Sequence, residues 1–200
     1  MTFRQIDPLY AIDLSNPRDP RIAGEVEIPG FSSYLHPLTS GVLLGIGLDA
    51  NAAGATQGVK VASFDVAGAA PRPVSQHVSG MQGSWTDLLI DHRAFALLAP
   101  AGANRRFAFP VMLRNDRALV PSEPIVAGLL TYEVDANGLL TPRGFVRSPI
   151  QPTNPQLMPD GTLYGSYAGR ALLAQDAVYH YRGGWWFGSR WGSGQATPPR

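Results

Sequence analysis

Three copies of one short pattern constrain this chain more than any other feature. Ile12-Asp13-Leu14 is followed by Pro20-Arg21, Phe64-Asp65-Val66 by Pro71-Arg72, and Tyr132-Glu133-Val134 by Pro142-Arg143. Each unit reads apolar–acid–apolar, then a turn, then Pro-Arg and another short strand. Successive side chains of a strand face opposite sides, so the two apolar residues share one face and the acid takes the other. The residues between (Ser15-Asn16-Pro17, Ala67-Gly68 and Asp135-Ala136-Asn137-Gly138) suit hairpins, and the proline suits a strand start or an outer edge. The three acids lie 52 and 68 positions apart, a spacing that holds about four short strands per repeat.

Composition points the same way. Gly 22 and Pro 18 in 200 residues disfavour long helices, and an apolar share of 44% is that of a globular chain. Strand-like segments bounded by Gly, Pro, Asn or Asp recur at Leu9–Leu14, Arg21–Ile28, Ser33–Leu38, Val42–Leu48, Val59–Val66, Pro73–Val78, Ala94–Ala99, Arg106–Leu113, Leu129–Val134, Leu140–Val146, Leu163–Tyr167, Ala171–Ala174, Ala177–Tyr181 and Trp185–Trp191. No window shows a 3.6-residue period. Val42–Leu48 is apolar throughout apart from its glycines, as expected of a strand buried on both faces.

The expected fold class is all-β: a partial β-propeller of four-stranded antiparallel blades, with a β-sandwich as the alternative. The propeller is expected over residues 1–191. One blade covers about 31–80, the next about 92–147, and 1–30 and 157–191 supply partial blades; 192–200 reads as a flexible tail.

Five segments carry a resemblance in order: Asp7–Pro17, Ile28–Leu38, Leu44–Gly47, Ser63–Val66 and Asp91–Phe95. Together they resemble the secreted bacterial and archaeal proteins with a C-terminal β-propeller distantly related to WD40 repeats. The resemblance spans roughly residues 7–146 and implies the propeller fold and an extracytoplasmic, periplasmic or secreted, location. It implies no catalytic residue. It also implies that the chain is a C-terminal fragment, because such proteins carry an export signal or anchor upstream and the start here shows no signal peptide.

Chemistry-bearing residues are sparse. Cysteine is absent, which excludes disulfides, thiolate metal sites and a cysteine nucleophile. A formal net charge of +1 argues against nucleic acid as partner, and no apolar run is long enough to span a bilayer. His36, His77, His92 and His180 form no H-x-x-x-H spacing, so no metal site is expected. His36 and His92 occupy comparable places, so repeated blades can bring them to one face. Asp91-His92 offers a base with an orienting acid only if both lie in a loop, since strand neighbours point apart. Ser84 lacks a nucleophile elbow. Asp49–Gly54 opens like a calcium loop, but Lys60 stands where a bidentate glutamate is needed. Gly45-Ile46-Gly47 and Gly165–Gly169 are small-residue packing points, not phosphate loops. Trp185, Trp186 and Trp191, behind the Gly183-Gly184 turn, form the densest aromatic cluster: either a sticky platform or packing against the sheet.

The expected function is therefore a non-enzymatic binding or scaffold module for a protein or cell-envelope component, without a cofactor. The candidate binding residues are His36, Asp91, His92, Trp185, Trp186 and Trp191. The propeller itself can require further blades or self-association. An extracytoplasmic hydrolase or metal-dependent enzyme with its site at the propeller axis, and a remnant without independent function, are the alternatives.

Overall fold

The computed structural model describes residues 8–68, 70–100, 104–114, 125–148, 156–157, 163–164 and 169–193. Strands β1 (Leu9–Asp13) and β2 (Arg21–Val26) form a hairpin. The strands β3 (Phe31–Pro37), β4 (Val42–Ala50), β5 (Thr56–Asp65) and β6 (Arg72–Ser79) make a four-stranded antiparallel sheet in chain order. A second sheet holds β7 (Trp85–Thr86), β8 (Ala96–Leu98), β9 (Arg105–Arg114), β10 (Ile125–Val134) and β11 (Leu140–Arg147). Here β7 and β8 share the same outer edge of β9, one opposite Val111-Met112 and the other opposite Arg106–Ala108. The first strand of this sheet is thus broken in two, and residues 87–95 leave it between the halves. The two-residue strands β12 (Gln156–Leu157) and β13 (Leu163–Tyr164) pair with each other. Strands β14 (Arg170–Ala174), β15 (Ala177–Arg182) and β16 (Trp185–Arg190) form a third sheet.

Strand alternation explains how these units stack. Val59 and Val61 on β5 face the second sheet and join Phe107, Phe109 and Val111 of β9 and Leu130, Tyr132 and Val134 of β10 in the main core. The intervening Ala62 and Phe64 face the other way, under the hairpin, with Leu9, Val26 and Ile28. On the far side of the second sheet, Ala108 and Leu129 meet Val178, Ala171 and Leu173 of the third. The order of layers is therefore hairpin, first sheet, second sheet, third sheet, each following the last along the chain. A two-sheet sandwich has no place for this succession, whereas blades packed face to face do. Both central sheets are covered twice, which is why β4 reads as a continuous apolar run and why β5 is buried along most of its length.

The repeated pattern acquires a mechanical meaning. The register shifts at Ala11/Ile12, Ser63/Phe64 and Thr131/Tyr132, each time just before the apolar residue that precedes the acid. A bulge of this kind re-aims the following side chain. Asp65 lies opposite Arg72 and pairs with it at 2.5 Å, and Glu133 pairs with Arg143 at 3.2 Å. In the first copy Asp13 lies opposite Arg21, but Arg21 pairs with Asp19. Both Asp13 and Asp65 close their turns by accepting the amides of Ser15 and Ala67. Pro20 and Pro71 precede β2 and β6; Pro142 lies inside β11, an edge strand where its missing N–H costs no ladder bond.

Two local expectations resolve at atomic detail. A Cβ on Gly47 would lie 2.1 Å from the Phe31 carbonyl oxygen, so glycine there lets β3 close onto β4. Gly183 and Gly184 both have positive φ, 56° and 86°, the geometry of a two-residue hairpin turn between β15 and β16. Residues 51–54 form a turn whose Asn51 Oδ1 accepts the amides of Ala53 and Ala55. Lys60 is fully buried on the hairpin side of β5, where its Nζ donates to the Pro29 carbonyl. Burial pushes its pKa down, and the neighbouring Asp49 carboxylate partly restores it. Ser84 is also buried, its Oγ accepting the amides of Met81 and Arg114. Residues 165–168 and 194–200 of the expected packing point and tail lie outside the described residues.

Candidate functional site

The excursion between β7 and β8 carries Asp87, Asp91, His92 and Arg93. It contains two 3-10 turns, Asp87–Leu89 and His92–Ala94. Thr86 caps the first by accepting the Leu88 amide, while its hydroxyl donates to the Pro110 carbonyl at 2.7 Å. Asp91 caps the second by accepting the Arg93 amide at 3.0 Å. These caps hold both acids against the third sheet. Asp87 Oδ2 accepts the Gly169 amide at 2.9 Å, and Asp91 Oδ2 accepts from the Arg170 guanidinium at 2.5 Å. Burial raises the Asp87 pKa to about 6, against the pull of the Gly169 amide and the Arg170 and Arg182 charges. The Arg93 amide and the Arg93 and Arg170 guanidinium groups hold Asp91 below its usual range.

Behind this pair lies a buried polar seam. His180 is 1% exposed, and its Nδ1 meets the Ser148 hydroxyl. Arg182 reaches the Ser148 carbonyl at 3.3 Å. Burial, with Arg182 beside it, drives the His180 pKa down to about 3, so the ring is neutral. His180 Nε2 faces Gly169, where a Cβ would come within 2.6 Å. Ser148 and His180 thus touch like a nucleophile and its base. Both are sealed between sheets, however, and a substrate carbonyl reaches Ser148 only if the third sheet lifts away.

The sequence-derived residues distribute unevenly over this frame. His36 sits near the end of β3, half-buried, with its ring 4.8 Å from Phe95 and its Nδ1 2.9 Å from the Tyr34 hydroxyl. Burial pushes its pKa down. Asp91 and His92 do lie in a turn, but Asp91 is engaged by Arg93 and Arg170, and His92 is exposed. No hydrogen bond joins His36, Asp91 and His92 to one another, and among the described residues no three His, Asp or Glu side chains gather as metal ligands. The tryptophans separate as well. Trp191 lies in the seam, its Nε1 donating to Glu133 at 2.8 Å and its ring 5.4 Å from the Arg106 guanidinium. Neighbours on β16, Trp185 and Trp186 take opposite faces; the Trp186 ring lies tilted at 49° to that of Tyr181, with centroids 5.0 Å apart.

That outer face of the third sheet is apolar and open. Leu172, Tyr179, Tyr181 and Trp186 all point away from the second sheet, and Trp186 is 44% exposed. Sequence reasoning picked out Trp186 but missed Leu172 and the two tyrosines, although their alternation with Val178, His180 and Arg182 marks one face of a strand. It also missed Asp87, Ser148, Arg170 and Arg182, whose partners lie far away in sequence.

Comparison with known proteins bears on the whole chain. A family model described as a β-propeller domain matches residues 1–184. An uncharacterised protein of Archaeoglobus fulgidus is 38% identical over 112 residues, covering 52% of this chain and 17% of that protein. The uncharacterised protein MJ1554 of Methanocaldococcus jannaschii is 49% identical over 49 residues, 24% of this chain and 8% of that protein. The chain thus spans a small part of the length of these relatives. No solved structure matches.

Proposed function

The chain belongs to the β-propeller domain family, and on that premise we propose that it is a non-enzymatic propeller module that docks a protein at the cell envelope, outside the cytoplasm. One observation carries the docking role: a sheet whose inner face is packed presents Leu172, Tyr179, Tyr181 and Trp186 on its outer face. Aromatic side chains supply large contact area with little entropy to lose, and they are enriched where proteins meet. The extracytoplasmic location is supported by the resemblance of residues 7–146 to secreted propeller proteins. The burial of Ser148 and His180 and the separate engagements of His36 and Asp91 favour docking over hydrolysis.

The test is a photoreactive phenylalanine analogue placed at Trp186 in cells making the chain, with the exposed Leu139 as control position. A protein adduct formed at Trp186 and not at Leu139, recovered in the envelope fraction, is the expected result. Equal labelling at both positions, or an adduct confined to the cytoplasm, overturns the proposal.

A further inference from the structure

We infer that the protein covering this face is a second copy of the same chain, bound head to tail through its β1–β2 hairpin. The inference rests on the docking reading above and names its partner.

Among the described residues the stack presents two different end faces. At one end the hairpin packs Leu9 and Val26 inward and leaves Tyr10, Ile12 and Ile22 outward, Ile22 at 68% exposure. At the other end lies the aromatic face of the third sheet. Every internal layer boundary follows one rule: a sheet covers the exposed face of the unit before it. A hairpin placed on the third sheet continues that rule in the same direction.

The ends also match in charge. Residues 8–28 carry Asp13, Asp19, Glu25 and Glu27 against Arg18 and Arg21. At the sheet end Arg190 is the exposed arginine, since Arg170 is paired with Asp91 and Arg182 is buried on the inner face. Glu25 lies opposite Tyr10 on the outward face of the hairpin, and Arg190 follows Trp186 and Gly188 on the outward face of β16. Apolar centres with opposite charges at their margins favour the unlike pairing over hairpin-on-hairpin or sheet-on-sheet contact. Such a contact is heterologous, so it leaves one open end on each dimer and continues to a ring or a filament.

The experiment uses the full chain and light scattering across a concentration series. The wild-type mass is expected to rise past the dimer. Ile12→Asp with Ile22→Asp disables the hairpin end, and Tyr181→Asp with Trp186→Asp disables the sheet end; each double variant alone is expected to remain monomeric. Their mixture is expected to stop at a 1:1 heterodimer, because each supplies the end the other lacks. Circular dichroism confirms folding of each. As a second measurement, the cysteine-free chain accepts single thiols: Ile12→Cys and Leu172→Cys chains, mixed with a short bis-maleimide, are expected to cross-link to each other and not to themselves. A wild-type chain that stays monomeric and yields no Ile12→Cys to Leu172→Cys adduct overturns the inference. So does self-association of the hairpin variant, which would mean sheet-on-sheet contact. If the chain is monomeric while the Trp186 photoadduct contains a different protein, only the second copy falls; if the photoadduct is also absent, the docking reading falls with it.

Discussion

At the scale of single residues, Asp87 and His180 oppose each other across the seam. The folded pKa of Asp87 is raised to about 6 from an ordinary 3.8. Its contribution to stability is therefore full below about 3.8 and is lost as pH rises through about 6. His180 is lowered to about 3 from 6.5, so its contribution holds above about 6.5 and is lost as pH falls towards 3. Between pH 4 and 6 the two slopes have opposite sign. Asp87→Asn should leave the His180 slope uncompensated, so that stability rises with pH over this range, by at most about 1.4 kcal/mol per pH unit. His180→Gln should make stability fall with pH over the same range. Urea unfolding at a series of pH values measures both; parallel profiles for the two variants would contradict the opposition. None of this was visible in the sequence. Asp87 is one acid among 15 Asp and Glu residues, and its shift arises from burial that outweighs the Gly169 amide and the Arg170 and Arg182 charges, an environment complete only when the third sheet docks. Asp91-His92 stood out because it is local, yet in the fold the aspartate turns to Arg170.

At the scale of strands and turns, most of the architecture was legible because its signals are local. Alternation and bounding turn residues located β1 to β6 within a few positions, and Gly183-Gly184 announced its hairpin. The pair β7 and β8 was not recovered in that form, since two-residue pairing at Trp85–Thr86 has no period to read. The caps at Thr86 and Asp91 are the only local traces of the excursion between them. Glycine gives a quantitative check on strand spacing. Gly47→Ala must push its Cβ against the Phe31 carbonyl, and overpacking of this kind costs about 1–3 kcal/mol. Gly68→Ala meets nothing within 4 Å and should be close to neutral. Equal urea midpoints for the two variants would show that β3 and β4 are not closely apposed.

At the scale of the whole molecule, the boundaries between layers are unequal. Sixteen buried apolar residues join the first and second sheets, among them the near-parallel rings of Phe107, Phe109 and Tyr132. Four small or medium ones, Ala108, Leu129, Val146 and Val178, join the second sheet to the third. Hydrophobic stabilisation scales with the area removed from water, so the third sheet should open before the rest. In hydrogen exchange, amides of β15 should exchange faster than those of β5, β9 and β10; uniform protection would show that the seam's hydrogen bonds compensate for the smaller core. Phe107→Ala, at the main boundary, should cost about 3–5 kcal/mol and lower the urea midpoint of β5, β9 and β10 together.

Lys60 gives the molecule an unplanned reporter. It is the only lysine in the sequence, and the fold seals its amine beneath the Pro29 carbonyl. An amine-directed reagent therefore finds no side chain to modify on the closed protein. Acylation of Lys60 dates the moment the cover over β5 lifts, and the rate of that single modification, read by mass spectrometry, becomes a clock for the hairpin end of the stack.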